Sequence, residues 1–156
     1  MTVESKVLGT DSVAQLCFIT DDLERSSKWF ADTFGVEMPP VVFTSPPEEA
    51  QAEYLGKPAS VMCKARHFRF ANMDLEFIEP GPERSTWRDW LEKKGPGFHH
   101  VAFFVDGIGA KSATLAKQGH SVLQKGEFQG GRYAYLDTEK DLGAIVELLE
   151  LGPARG

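Results

Sequence analysis

Apolar and polar positions along the chain change period several times, and each change marks an element. Residues 12–20 (SVAQLCFIT) form a short apolar run that predicts a buried strand. Asp21 and Asp22 then offer a helix cap, and the stretch after them carries Leu23, Trp29, Phe30 and Phe34 mostly on one helical face until Gly35 ends it. Pro39, Pro40, Pro46, Pro47 and Pro58, with Glu48 and Glu49 among them, predict an excursion with little regular structure. Strand signals return at 59–71, and Asn72-Met73-Asp74 predicts a hairpin turn into 75–78.

After Pro80-Gly81-Pro82, residues 85–94 predict a short helix with Trp87, Trp90 and Leu91 on one side. The pattern then begins again. Residues 98–105 predict a strand, a helix from Asp106 carries Ile108, Ala113 and Leu115 and ends at Gly119, and 121–123, 132–136 and 144–149 supply three more strands. FITDDLERSSKWFADTFGVEM and FFVDGIGAKSATLAKQGHSVL share strand, acidic helix start, helix and terminal glycine at nearly equal lengths, with Gly35 and Gly119 84 residues apart. Gln15 and His100, each the polar interruption of an apolar strand, are 85 apart. These matches predict an α+β chain built from two copies of a βαβββ unit, neither large enough to close a core alone. The expected organisation is a single domain over 1–156, with module one at 12–80, a linker helix at 84–95 and module two at 97–150.

The length of 156 residues suits one domain, and 42% apolar with 26% charged residues excludes a disordered, collagenous or disulfide-dense chain. The 17 basic residues against 23 acidic ones leave a net charge of −6, which opposes binding to nucleic acid or an anionic membrane surface. Cys17 and Cys63 lie among apolar neighbours and read as reduced core residues. No apolar run is long enough to span a membrane, and Met1 to Asp11 lacks the order of a leader, so a cytoplasmic location is expected.

Four strands each place one strong donor in an apolar setting: Gln15 in VAQLCFI, Glu76 in MDLEFIE, His100 in FHHVAFF and Glu147 in AIVELLEL. Taken singly, each is also what a solvated strand face carries. Taken together they occupy equivalent places, the first and last strands of each half, and would meet on a shared axis. A lone carboxylate between apolar neighbours must be paired, neutralised or bound to a metal. One amide oxygen, one imidazole and two carboxylates suit one divalent metal ion with positions open for water or substrate. His99 reads as facing away from His100, and His67 and His120 lack ligand spacing. Gly107-Ile108-Gly109 reads as a turn with a helix start, and no serine lies in a nucleophile elbow. Arg66, Arg69, Lys125 and Arg132 read first as solvated charges and second as anion handles. Trp87 and Trp90 read most simply as core cover or a subunit contact and next as a pocket roof, and a sheet edge together with exposed Trp87 and Trp90 makes a homodimer the expected state.

At these residues the sequence resembles the vicinal oxygen chelate superfamily, which includes glyoxalase I, methylmalonyl-CoA epimerase, extradiol dioxygenases and bleomycin-resistance binding proteins. LEFIEP, WLEKKGPGFHHVAFFV and GAIVELLE are similar to the epimerase branch. The resemblance implies paired βαβββ modules forming an incomplete barrel around one metal, held by Gln15, Glu76, His100 and Glu147. That set is similar to eukaryotic-type glyoxalase I, and Lys64 aligns with a catalytic glutamate of the epimerases. The expected activity is that of a metal-dependent lyase or isomerase acting on a small carbonyl substrate, with zinc, nickel, cobalt or manganese as cofactor. Glu147 is expected as the general base and Glu76 as the more permanent ligand, both catalytic. The alternatives are an epimerase-like racemase and a metal-free binding protein of the same fold.

Overall fold

Helix α1 (Leu23–Phe34) starts because Asp22 Oδ1 accepts a hydrogen bond from Arg25 N at 3.0 Å, and it stops at Gly35, whose φ of 65° only glycine adopts cheaply. A computed structural model describes residues 6–153; residues 1–5 of the segment read above for a leader, and 154–156, lie outside the described residues. In chain order the elements are β1 (Gln15–Ile19), α1, β2 (Val42–Phe43), α2 (Pro47–Ala50), β3 (Glu53–Tyr54), β4 (Lys57–Pro58), β5 (Cys63–Arg69), β6 (Asp74–Pro80), α3 (Thr86–Lys94), β7 (Gly97–Phe104), α4 (Ile108–Lys117), β8 (Val122–Phe128), β9 (Gly131–Leu136), α5 (Glu139–Leu142) and β10 (Ile145–Leu151).

The strands join one curled sheet in the order β2-β5-β6-β1-β7-β10-β9-β8-β3-β4. At its centre β1 and β7 run antiparallel, and each pairs on its other side with a parallel strand, β6 or β10. Helix α1 covers one half of the convex face through Phe30 and Ala31 against Phe68, Leu75 and Phe77. Helix α4 covers the other half through Ile108 against Ala134, Leu136 and Leu148. The α1 face differs from the sequence expectation. Leu23, Ser27, Phe30 and Ala31 are buried, whereas Trp29 is 62% and Phe34 58% exposed, because the sheet meets only a narrow stripe of this short helix.

The proline-rich excursion is more ordered than its composition predicts. β2 adds to β5 at one edge of the sheet, whereas the β3–β4 hairpin pairs with β8 near the other edge, so 44–62 straps the concave face from side to side. Ala50, Ala52 and Val61 from this strap pack with Trp87 and Trp90 of α3, and with Cys17, Ile19, Tyr135 and Ile145 of the sheet, as the main core. Trp87 is 3% exposed and its Nε1 donates to Tyr135 Oη at 3.0 Å. Both tryptophans are therefore a roof over the concave face and offer no surface to a second subunit. No helix among the described residues is long and apolar enough to cross a membrane.

Candidate metal centre

Two neighbouring rows of side chains cross the middle of the concave face. In one, the strand register sets Glu76 (β6), Cys17 (β1) and His100 (β7) side by side; in the next it sets Gln15 (β1), Ala102 (β7) and Glu147 (β10) side by side. Side chains opposite one another on adjacent strands share a face and stand about 5 Å apart, so each row brings its polar ends together over a small central residue. The two rows are related by the internal repeat: Gln15 corresponds to His100 and Cys17 to Ala102, each 85 residues on.

All four sequence-predicted donors meet at His100. Its Nε2 lies 3.0 Å from Glu147 Oε2, 3.3 Å from Gln15 Oε1 and 3.6 Å from Glu76 Oε1. Each of the four residues is buried, His100 completely. Glu147 Oε2 has no hydrogen bond in spite of the short approach, which makes the His100 contact one of charge rather than of an aligned donor. One imidazole nitrogen carries at most one proton and can satisfy one of the three oxygens. A divalent ion about 2.0–2.2 Å from each donor sets neighbouring donors about 3 Å apart, close to the separations observed. The donor set and the unpartnered carboxylate oxygen thus fit a bound cation.

Cys17 was read from sequence as a packing residue. Its Sγ instead lies with donor atoms of Glu76 and His100 inside a group whose members are all within 4.8 Å of one another. Burial pushes its thiol pKa well up, and Glu76 adds to the rise.

Two histidines set aside at the sequence level support the cluster. His67 Nε2 lies 2.5 Å from Glu76 Oε2, the oxygen turned away from His100. Burial pushes Glu76 up, but the His67 hydrogen bond and charge, with His100, outweigh it and hold the carboxyl below its ordinary range. Burial likewise disfavours charge on His67, and Glu76 outweighs it, so the His67 pKa is raised. His99 was expected on the opposite face from His100, yet its ring packs edge-on against Trp90 and Tyr135 inside the concave core. The reason is a register shift: Cys17 faces His100 and Phe18 faces Phe98, so His99 is the extra residue of a bulge that turns both rings inward. Burial, then the neighbouring His100, pushes the His99 pKa well down, and its Nδ1 lies 2.8 Å from His100 Nδ1. When that shared proton sits on His100 Nδ1, Nε2 presents its lone pair to the cluster.

The two carboxylates are pulled apart electrostatically. Burial raises the Glu147 pKa, with His100 opposing, whereas Glu76 is lowered. The basic residues considered as anion handles are each committed to a carboxylate: Arg66 to Glu24 at 2.7 Å, Arg69 to Asp74 at 2.9 Å, Lys125 to Glu53 at 2.8 Å, and Arg132 between Glu127 and Glu150. Lys64 pairs at 3.2 Å with Glu79, whose other oxygen accepts from Leu23 N at the start of α1, so this lysine is engaged at the helix. A groove of about 530 Å³ between residues 36–42 and 67–70 includes His67 in its wall and so ends one side chain from Glu76.

A half-barrel of two related halves with a His, amide and carboxylate cluster at its centre defines a class of protein, and the sequence agrees. The chain belongs to the Glyoxalase/Bleomycin resistance protein/Dioxygenase superfamily, the vicinal oxygen chelate group, whose family model matches residues 14–135. Among curated relatives, the uncharacterized protein YqjC of Bacillus subtilis (strain 168) is 31% identical over 86 residues, which are 53% of this chain. The chain spans 61% of the length of that relative. Among solved structures, methylmalonyl-CoA epimerase from Mycobacterium tuberculosis superimposes with a TM-score of 0.61 at 17% identity, over 98% of this chain and 94% of the other. A variant of the Streptomyces coelicolor methylmalonyl-CoA epimerase in complex with 2-nitronate-propionyl-CoA superimposes with a TM-score of 0.62 at 20% identity, over 91% and 98%. At these identities the superpositions establish the fold.

Proposed function

We propose that the protein is a divalent-metal-dependent lyase or isomerase of glyoxalase type, which removes a proton from the carbon next to a carbonyl group of a small molecule. The observation that carries this reading is the convergence of Gln15, Glu76 and Glu147 on His100 Nε2 inside the fold, with Glu76 held from its other oxygen by His67 and Glu147 Oε2 left without a hydrogen bond. One carboxylate anchored from outside and one not anchored separates a ligand from a base. Gln15, Glu76 and His100 would hold the ion, and Glu147, 3.0 Å from His100 Nε2, is the proton carrier. A bound divalent ion supplies Lewis acidity, drawing negative charge onto the substrate oxygen as the proton leaves. Glu147 Oε2, free of hydrogen bonds, accepts that proton, and burial brings its affinity for the proton toward the neutral range that a base needs. Return of the proton to the neighbouring carbon completes an isomerisation. The strap at 44–62 and the Trp87–Tyr135 roof keep water from the charged intermediate.

The substrate is a small carbonyl compound, and the solved epimerase relatives extend the panel to acyl-coenzyme A thioesters. The test is solvent deuterium uptake by α-carbonyl compounds, including thiol adducts of 2-oxoaldehydes and 2-methylmalonyl thioesters, followed by mass spectrometry with metal-loaded protein. The expected result is exchange into one compound class, falling about 10²–10⁴-fold in Glu147→Gln. Tight binding of a panel member with no exchange, in metal-loaded and metal-free protein alike, overturns the enzyme in favour of a binding protein.

A further inference from the structure

We propose that Cys17 is itself a metal ligand, its thiolate joining Gln15, Glu76 and His100 around the ion and leaving Glu147 outside the resting set. The inference rests on the cluster being a metal centre.

The internal repeat carries the argument. Cys17 sits between Glu76 and His100 as Ala102, its counterpart in the second half, sits between Gln15 and Glu147. Both positions are fully buried. Alanine fills the second row, so packing between two ligand-bearing strands asks only for a methyl group. In the first row a sulfur is added, and it stands beside a carboxylate and an imidazole at the edge of the hydrocarbon core. The three donor atoms lie within 4.8 Å of one another. In a tetrahedral site a sulfur about 2.3 Å and a nitrogen or oxygen about 2.0–2.2 Å from one ion stand about 3.6 Å apart, so from separations bounded by 4.8 Å ligation requires a closure of at most about 1.2 Å. With Gln15 Oε1 at 3.3 Å from the same imidazole nitrogen, four donors are present without Glu147. Coordination releases the thiol proton to solvent. Glu147 then keeps the unpartnered oxygen that a proton carrier needs.

A sulfur donor also narrows the choice of ion, since thiolate favours zinc and cobalt over manganese. In Cys17→Ala, zinc affinity is expected to fall at least tenfold while manganese affinity holds.

The decisive experiment is cobalt(II) titration into metal-free wild type, Cys17→Ala and Cys63→Ala. Cys17→Ala installs the residue that position 102 already carries, so the fold should tolerate it. The expected result is a near-ultraviolet sulfur-to-cobalt charge-transfer band in wild type and Cys63→Ala, absent from a Cys17→Ala protein that keeps its visible cobalt bands. Zinc X-ray absorption of the wild type reads the same point without a variant, as a sulfur neighbour at about 2.3 Å. Identical cobalt spectra in wild type and Cys17→Ala, or a bound zinc with nitrogen and oxygen neighbours only, overturn the sulfur ligand and leave the metal centre standing. Folded wild type that takes up neither ion overturns both.

Discussion

Removing His67 tests whether the cluster is tuned from outside its ligands. His67 Nε2 is 2.5 Å from Glu76 Oε2, while Glu76 Oε1 faces His100 at 3.6 Å, so one carboxylate spans the histidine and the proposed ion. His67→Ala removes both the donor that aims the carboxylate and the largest influence holding it ionised; burial, which acts upward on Glu76, is then opposed only by the weaker pull of His100 and Cys17. Outer partners of ligands are worth about 10–100-fold in metal affinity. That range is about 1.4–2.8 kcal/mol. Competition with a chromophoric chelator at neutral pH measures the zinc affinity directly, and far-ultraviolet circular dichroism checks the fold. His67→Gln, whose amide can still donate, is expected to recover most of the loss. Wild-type affinity in His67→Ala, or a loss as complete as that of Glu76→Gln, would show that His67 does not tune the cluster from outside.

The same histidine gives a pH signature in the metal-free protein. Its folded pKa lies above the ordinary histidine value, so its stabilising charge is complete below that value and is lost as pH rises through the raised one; the stability gap between wild type and His67→Gln should be widest in mild acid and close in alkali, read by urea denaturation at several pH values. Trp87→Phe leaves Tyr135 Oη without its buried donor, and should cost about 1–3 kcal/mol in thermal unfolding with zinc absent. Gly131→Ala would set a Cβ 2.5 Å from Glu150 O and 2.9 Å from the Phe128 ring at the β9–β10 pairing, an overpacking worth about 1–3 kcal/mol by urea denaturation.

The four polar residues of the cluster were legible in the sequence because each breaks an apolar strand and the four fall at equivalent places in the two halves, although any one alone also suits a solvated strand face. Cys17 was illegible for the opposite reason. A thiol between Leu16 and Phe18 has the pattern of a small hydrophobe, and only the register against Glu76 and His100 reveals its neighbours. His67 was missed through a small error in the turn. A hairpin centred on 72–74 pairs His67 with Glu79, whereas the observed register centres between Ala71 and Asn72 and pairs it with Glu76. The hairpin itself was visible, and trying adjacent registers for a histidine opposite a carboxylate would have found the contact. His99 defeated strand alternation because a bulge leaves no trace in composition. The strap at 44–62 was hidden by its prolines, whose pairing partner β8 lies more than sixty residues further on.

Whether Gln15, Glu76, His100 and their neighbours hold one divalent ion is read by elemental analysis of protein purified without added metal. The expected result is close to one equivalent of zinc, nickel, cobalt or manganese per chain in the wild type, and its loss in a folded His100→Ala protein, since His100 Nε2 is the atom on which the other donors converge. No bound metal in either protein, with unchanged thermal stability after zinc, nickel, cobalt and manganese are each supplied, would contradict it.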